Sequence, residues 1–328
     1  MPRISAWLLL FALAACDGDG TMLGMSGPDA GADSNGAPTL TGPPAPTLSA
    51  SPGYAAPPKL GIRVLAGRGD GAAVSPEAML AALRAADAVC LGETHDSYAV
   101  HSLQLLLIDR LRAAGSTQDP ALGVGFEMFE RPYQFAFDDL QSGRIAEGTF
   151  RTNSQYDARW GFPWDLYQPL VAHGLAHAHP MRAMNLEREL VKRIAAVGLP
   201  MLTPQEQALL PDLVLTSEAH RAWFRPQIEE GHGILNDEML ERFYAAQVAR
   251  DETMADTATT WQKATPGRRI AIVAGRGHCV DWAIPDRMRR RGVAKVVGLQ
   301  MMDDAPGAVE AAVLADPADF IVGVTISP

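Results

Sequence analysis

The sequence has little of what three common functional classes require. Its 28 Lys and Arg are outnumbered by 38 Asp and Glu, which gives a net charge of −10. Nucleic acids and anionic lipid surfaces both favour clustered cations, so this balance argues against either as a partner. The chain also has neither a G-x-S-x-G elbow nor a P-loop. Serine hydrolases of that type and P-loop nucleotidases are therefore excluded.

Cysteine is scarce as well, with three residues in 328. One of them, Cys16, lies in the N-terminal segment, so only Cys90 and Cys279 remain for the rest of the chain. A disulfide framework is excluded, although a single Cys90–Cys279 bridge stays possible. The local metal motifs H-E-x-x-H and C-x-x-C are both absent. A metal site would have to be assembled from residues far apart in sequence.

No apolar run near the N-terminus is long enough to span a bilayer. The run at residues 4–14 is too short for a hydrocarbon core of about 30 Å, and Leu-Ala-Ala-Cys follows at residues 13–16. This pattern predicts a lipoprotein signal peptide over residues 1–15 and acylation of Cys16. We therefore expect an exported, membrane-anchored protein that faces the periplasm or the cell surface.

Composition then divides the remaining chain in two. Residues 16–58 are rich in Gly, Ala, Pro, Ser and Thr, have few large apolar residues and predict a flexible linker. Residues 59–328 predict one α/β domain, with a mostly parallel central sheet flanked by helices and a helical insertion at about 200–265.

Two similar units are the clearest signal in this domain. Each is a short apolar run that ends in G-x-x-H, one at His95 and the other at His278. Such runs are typical of buried parallel strands, whose carboxyl ends form the ligand crevice of an open sheet. We expect both histidines at that edge together with Glu93. A third apolar strand over residues 121–126 should end at Glu127, and Asn185 should end another strand.

Two helices add polar residues to this prediction. Ser97 is expected to cap a helix that runs to about residue 114 and carries His101 and Gln104. A long helix over residues 236–262 has an apolar face interrupted by Gln247 and Asp251. A buried polar pair needs partners, which either a core hydrogen bond or a ligand would supply.

The strand-end residues combine two carboxylates with two imidazoles. Glu93, His95, Glu127 and His278 would suit a divalent metal, or an acid/base pair acting on a polar bond. The alternative is structural, with the histidines serving only to cap a helix or loop.

Six segments share a further pattern. They are Gly-Glu-Thr-His at 92–95 with Gln104, Phe-Glu-Met-Phe at 126–129, Trp164 with Tyr167 and Pro169, Ala-Met-Asn at 183–185, residues 246–255, and Gly-Arg-Gly-His at 275–278 with Ile284 and Pro285. In collinear order over about residues 60–291, these segments resemble the ChaN family, the haem-binding uptake group of the Tiki and erythromycin-esterase-like superfamily.

This resemblance implies an α/β domain with a helical insertion, a lipoprotein, and haem binding connected with iron acquisition, as a homodimer that holds stacked haems. Relatives of the fold use the paired histidines and acidic residues for metal-dependent or acid/base hydrolysis. The hypothesis is therefore a membrane-tethered haem binder, with a hydrolase as the alternative. A third possibility is a periplasmic scaffold with a vestigial polar cluster.

Haem would need an axial donor, an apolar slot and cations for its propionates. Tyrosine ligation is what the resemblance suggests, but no motif selects one residue. The axial candidates are Tyr98, Tyr133, Tyr167, His101 and His232. The candidates for propionate pairing are Arg131, Arg188 and Arg276, and further cofactor contacts are expected from Gln104, Asn185, Gln247 and Asp251.

Overall fold

A computed structural model describes residues 59–113, 117–315 and 317–326 of the chain. These residues form a central sheet with helices packed against it. The predicted signal peptide, Cys16 and the predicted linker lie outside the described residues.

The sheet has eight strands in the order β2-β1-β8-β7-β3-β6-β4-β5. The six from β8 to β5 run parallel, and β1 pairs antiparallel with both β2 and β8. This confirms the mostly parallel sheet predicted from the sequence. The strands are β1 (Leu60–Ala66), β2 (Ala73–Val74), β3 (Ala88–Glu93), β4 (Leu122–Glu130), β5 (Met181–Asn185), β6 (Arg269–Gly275), β7 (Val296–Asp303) and β8 (Phe320–Ile326).

The helices flank this sheet and also form a largely helical segment between β5 and β6. They are α1 (Pro76–Arg84), α2 (Tyr98–Leu111), α3 (Gln134–Gln141), α4 (Glu147–Asn153), α5 (Tyr156–Arg159), α6 (Trp164–Ala176), α7 (Arg188–Val197), α8 (Pro204–Gln207), α9 (Glu218–His232), α10 (Asp237–Lys263), α11 (Ile284–Arg290) and α12 (Ala308–Ala315). Short 3-10 turns occupy Arg131–Tyr133, Leu199–Met201 and Arg276–His278.

The two G-x-x-H units lie side by side at the centre of the sheet. Strands β3 and β6 are parallel neighbours, and their register pairs Glu93 with Gly275. Every residue of β3 is buried, as expected for a strand covered on both faces. Both units therefore leave the sheet at the same edge, which is the edge predicted for the ligand crevice.

The sequence predicted that this strand would end at Glu127, whereas β4 continues to Glu130. Its ladder with β6 stops at Phe126, and its register with β5 shifts between Phe126 and Glu130. In this irregular stretch, the backbone carbonyl of Glu127 accepts a hydrogen bond from the Asn185 side chain at 3.0 Å. Pairing to β5 carries the strand past the point where its apolar pattern ends.

Two predicted helices have the caps that their sequences indicate. The Ser97 hydroxyl accepts a hydrogen bond from the backbone N–H of Val100 at the start of α2, which ends at Leu111 rather than near residue 114. The Asn236 side chain likewise accepts from the Met239 N–H at the start of α10. In both cases the cap pairs an N–H group that would otherwise lack a partner within the helix.

Helix α9 packs against α10 through an apolar cluster. The cluster contains Phe224 and Ile228 from α9 and Leu240, Tyr244 and Val248 from α10. It places the residues around Phe224 next to the carboxyl ends of the central strands. No helix within the described ranges is both long and apolar enough to cross a membrane.

Cys90 and Cys279 form a disulfide bond, with Cα atoms 5.4 Å apart and a sequence separation of 189. Both residues are fully buried. The bond joins β3 to the segment after β6, directly behind the two histidine-bearing turns.

Removing this bond should lower stability, because it closes a long loop in the unfolded chain. We expect the Cys90→Ala/Cys279→Ala double variant to lose about 2 to 5 kcal/mol of unfolding free energy in urea titrations. Reductant should narrow the difference between the two proteins by destabilising the wild type alone. Equal stability of the oxidised wild type and the variant would contradict this account.

Candidate functional site

Glu93, the last residue of β3, is fully buried and has partners on both carboxylate oxygens. Its Oε1 accepts a hydrogen bond from the Tyr167 hydroxyl at 2.6 Å and lies 2.7 Å from His95 Nδ1. Its Oε2 accepts from the Gln104 amide at 2.8 Å, and His101 Nδ1 lies 3.7 Å away. Glu93 thus joins β3 to helices α2 and α6.

His95 is held between this carboxylate and aromatic rings. The ring centroids of Trp160 and Phe162 lie 5.1 and 4.9 Å from that of His95. Its side chain is 11% exposed. Since Nδ1 is directed at Glu93, Nε2 faces the centre of the strand-end cluster, toward Gly275.

Close approach explains the glycine of the first unit and the last residue of β6. A Cβ on Gly92 would lie 2.5 Å from the Leu299 carbonyl oxygen and 3.0 Å from the Cβ of Cys279. A Cβ on Gly275 would lie 2.7 Å from His95 Nε2. Only glycine lets the two turns and the imidazole come this close.

Glu127 connects three elements at the same edge. Its Oε2 accepts a hydrogen bond from the Gly275 backbone N–H at 2.6 Å. Its Oε1 accepts from Arg250 of α10 at 2.5 Å and lies 3.1 Å from His278 Nε2. The carboxylate is almost completely buried, so it depends on these partners for the solvation it has lost.

His278 is held from the other side by α10. Its Nδ1 lies 2.5 Å from Asp251 Oδ1 and 3.2 Å from the Gln247 amide nitrogen. Both members of the polar pair that interrupts the apolar face of α10 therefore contact this histidine, and Asp251 accepts the hydrogen bond from its Nδ1. The second oxygen of Asp251 lies 3.9 Å from His220 Nε2, and burial lowers the pKa of His220 to about 4.

The electrostatics of the cluster favour charged carboxylates and a charged His278. Burial alone would raise the pKa of Glu93 and Glu127, but neighbouring histidines, and Arg250 beside Glu127, hold both pKa values below the usual range. Burial alone would lower the pKa of His278, but the carboxylates of Glu127 and Asp251 raise it above its usual value.

The space within the cluster is small. A cavity of about 20 Å³ lies between His95 and His278 and is closed by Trp223 and Phe224 of α9. A second cavity of about 50 Å³ lies on the other side of Glu127, against Trp160 and Arg250. Each holds a few water molecules at most.

The structure brings together most of the predicted polar residues. Glu93, His95, Glu127 and His278 converge, and around them lie His101, Gln104, Asn185, Gln247 and Asp251. His101 is buried, and its Nε2 lies 3.1 Å from the His95 carbonyl oxygen. These residues support the cluster from α2, β5 and α10.

The three arginine candidates lie outside this group of residues, although Arg188 lines the cavity on the other side of Glu127. Arg131 contacts the Leu209 carbonyl and, at 3.6 Å, Asp256, and it makes no contact with the cluster. Arg276 is half-buried in the turn before His278, with its guanidinium 3.7 Å from Met302 Sδ. Arg188 donates to the Ala158 carbonyl.

The tyrosines occupy three different environments. Tyr98 is 49% exposed at the first turn of α2, and its hydroxyl donates to Asp165 Oδ2 at 3.2 Å. Tyr167 is buried beneath Glu93, and burial and that carboxylate raise its pKa well above the usual value. Tyr133 is half-buried under the Arg159 guanidinium. The side chain of His232 lies outside the described part of the structure.

Sequence reasoning missed several parts of the site. Arg250 pairs with Glu127, and Trp160 and Phe162 pack on His95. Tyr167 was predicted only as a candidate axial ligand, whereas in the structure its hydroxyl bonds Glu93. Arg250 could have been found, because it lies three residues after Gln247 on the same helix face. The aromatic contacts come from the α5–α6 region and have no signal in local spacing.

The chain is similar to one protein family in sequence and to several solved structures in fold. A family model described as haem-binding uptake, Tiki superfamily, ChaN matches residues 79–288. A solved structure described as cofacial haem binding to ChaN of Campylobacter jejuni has a TM-score of 0.63 at 20% identity, covering 80% of this chain and 97% of that chain. At this identity the likeness shows the fold alone.

Two further solved structures are more distant. The erythromycin esterase EreC, as a mutant in its open conformation, has a TM-score of 0.42 at 11% identity and covers 81% of this chain and 83% of that chain. The type III effector HopBA1 has a TM-score of 0.41 at 13% identity and covers 75% of this chain and 90% of that chain. These scores are too low to support any inference about function. No curated protein matches the chain significantly.

The pKa of His278 provides a test of the cluster. We expect it to lie above 6.5, the usual value for histidine, and to fall in Glu127→Gln because the nearest carboxylate loses its charge. Because folding raises the pKa of His278, this residue contributes to the free energy of unfolding fully at low pH. The contribution is lost as the pH rises through the pKa of His278 in the folded protein. NMR titration of the histidine ring, assigned with His278→Gln, measures both values.

Glu130→Gln is the matched control, because Glu130 lies on the same strand but pairs with Arg159. It should leave the pKa of His278 unchanged. A wild-type value below 6.5, or one that Glu127→Gln does not lower, would contradict the charge distribution described above.

Proposed function

Because this chain belongs to the ChaN family of haem-binding uptake proteins in the Tiki superfamily, we propose that it is a membrane-tethered haem-binding lipoprotein that takes part in haem or iron uptake. The family match over residues 79–288 carries this proposal. The Leu-Ala-Ala-Cys sequence at residues 13–16 supports a lipid anchor on Cys16. The linker after it would have a root-mean-square end-to-end distance of about 35 Å. We place the domain at the membrane surface, on the periplasmic or external side.

Haem would bind outside the strand-end cluster. The cavity there is about 20 Å³, whereas ligand pockets are roughly 300–1,000 Å³ in volume. An open surface cleft of about 580 Å³ lies beside Tyr98, between the start of α2 and the ends of β7 and β8. Its size suits a flat ligand that is only partly covered.

Tyr98 is the candidate axial ligand that this cleft presents. It lines the cleft and is half exposed, whereas the hydroxyl of Tyr167 is buried on Glu93 and His101 is buried behind His95. Tyrosine is an established haem ligand. The Asp165 carboxylate that accepts the Tyr98 hydrogen bond is placed to take the proton when a tyrosinate forms.

Apolar and acidic side chains line the rest of the cleft. Ile326 is 48% exposed and supplies apolar surface, whereas Ala99 and Val324 are buried. Of the three aspartates at the cleft, Asp304 pairs with Arg63, and Asp303 accepts the Ser97 hydroxyl at 2.7 Å. The ion pair with Arg63 reduces the repulsion that haem propionates would meet from Asp304.

We further propose that two copies of the chain enclose a pair of stacked haems. An open cleft covers one face of a haem and leaves the other to be covered by a second haem. The Campylobacter jejuni protein, which has the same fold, is described as binding haem cofacially.

Haem titration tests this function. The purified protein should give a Soret band with a tyrosinate-type visible spectrum and should dimerise on haem addition, as measured by analytical ultracentrifugation. Tyr98→Phe should weaken haem affinity at least tenfold, because the phenolate ligand is lost. Tyr133→Phe is the matched control and should titrate like the wild type.

The outcomes separate the parts of the proposal. A flat titration of the wild type would contradict haem binding altogether. Normal titration of Tyr98→Phe would contradict the ligand assignment and leave haem binding in place. Haem uptake without dimerisation would contradict the stacked pair only.

Acid/base hydrolysis at the strand-end cluster is the second candidate function. The observation in its favour is that each histidine is oriented by a carboxylate, at 2.7 Å for Glu93–His95 and 2.5 Å for Asp251–His278. Such pairs position an imidazole for proton transfer. A metal-dependent form is less favoured, because protein groups already occupy both oxygens of Glu93 and Glu127.

If an ester, amide or peptide is cleaved here, His95→Gln should lower kcat about 10²–10⁴-fold. His101→Gln is the control, because it removes a neighbouring imidazole that has no direct role in proton transfer. It should lower kcat by a smaller factor than His95→Gln. Turnover that survives in His95→Gln would exclude this imidazole as the acid/base group. Unchanged metal content in both His95→Ala and His278→Ala would exclude these histidines as metal ligands.

A further inference from the structure

Three histidines cluster at the end of α6, far from the strand-end cluster. His173 lies in the last turn of this helix, His177 is its C-cap residue, and His179 follows after one residue. Asp109, in the last turn of α2, completes the group. Asp109 is eleven residues after Tyr98 on α2, which corresponds to about 16 Å along the helix axis. The group therefore lies well away from both the haem cleft and the polar cluster.

The geometry of this group suits a metal ion. One potential ligand atom from each of Asp109, His173 and His177 lies within 4.8 Å of the other two. The two histidines are four residues apart on one helix face, and their ring centroids are 4.3 Å apart. Histidines at this spacing on a helix are a standard arrangement for binding one ion. The His179 ring is 5.5 Å from that of His173, close enough to contribute after a small movement.

The hydrogen bonds of these rings leave nitrogen lone pairs directed at the cluster. His177 Nδ1 lies 2.8 Å from the Thr117 carbonyl oxygen and must donate to it, so its Nε2 carries the lone pair. His179 Nδ1 donates in the same way to the Asp119 carbonyl at 3.0 Å. In the described part of the chain, the Nε2 atoms of His173 and His179 are both buried without a hydrogen-bond partner. A buried ring nitrogen without a partner is costly unless something binds it.

The surroundings favour a cation. Helices α2 and α6 both end at this group, and the C-terminal end of a helix carries partial negative charge. The Asp109 side chain is 40% exposed, which gives an ion access from solvent. Arg112 contacts Asp109 through one carboxylate oxygen, Oδ1, at 3.1 and 2.8 Å.

We propose that Asp109, His173 and His177 form a second, independent site for one divalent transition-metal ion. Two imidazoles and one carboxylate suit Zn²⁺, Co²⁺, Ni²⁺ or Cu²⁺. Mg²⁺ and Ca²⁺ are less suitable because they prefer oxygen ligands. The Thr117 carbonyl orients the imidazole of His177 through a hydrogen bond, as carbonyl partners of metal-binding histidines commonly do. The Asp119 carbonyl orients the neighbouring His179 in the same way. The site does not depend on haem binding.

Metal titration of the purified, chelator-treated protein tests the proposal without haem. Zn²⁺ should bind with one equivalent at this site, measured by calorimetry, and Co²⁺ should give visible d–d bands. The His173→Gln/His177→Gln double variant should lose that equivalent or bind it at least tenfold more weakly. Asp109→Asn should weaken binding by a smaller factor, because the imidazoles remain.

His95→Gln is the matched control, since it removes a histidine from the strand-end cluster instead. It should leave the equivalent in place. The double variant should melt at the same temperature as the wild type when no metal is present, which shows that lost binding is not lost folding. Unchanged Zn²⁺ affinity in the double variant, or loss of binding in His95→Gln, would overturn the proposal.

Discussion

The structure depends most on the buried carboxylate of Glu127. It accepts hydrogen bonds from the Gly275 backbone N–H and the Arg250 guanidinium, and it lies 3.1 Å from His278 Nε2. These contacts join β4, β6 and α10 at one edge of the sheet. Loss of any one partner would leave buried charge unpaired, which costs more than the hydrogen bond itself. The bulged course of β4 allows this carboxylate to lie between the two histidine-bearing turns.

Around that carboxylate the protein has two very different environments on neighbouring surfaces. The strand-end cluster is sealed by α9 and α10, nearly filled, and internally paired. The cleft beside Tyr98 is open, and its lining combines apolar side chains with three aspartates, of which Asp304 pairs with Arg63. Under the proposed function, a large planar ligand binds at this cleft and not within the strand-end cluster.

Much of this arrangement could be predicted from sequence. Apolar runs bounded by glycine indicate parallel strands, and parallel strands end at one edge, so His95 and His278 were expected to converge. The spacing of Gln247 and Asp251 on α10 was a second correct signal, now explained by His278. The extension of β4 was missed, because it depends on pairing with β5 and on the Asn185 side chain. The sequence could not distinguish Tyr98 from Tyr167, because the two differ in burial and burial depends on tertiary packing.

We propose that haem binds at the open cleft through Tyr98 and not within the strand-end cluster. A crystal structure of the haem-loaded protein tests this most directly. Our account predicts iron bound to the Tyr98 oxygen, with the Glu93–His95 and Glu127–His278 contacts unchanged. Iron bound to His95 or His278, or haem seated between α9 and the strand ends, would contradict it.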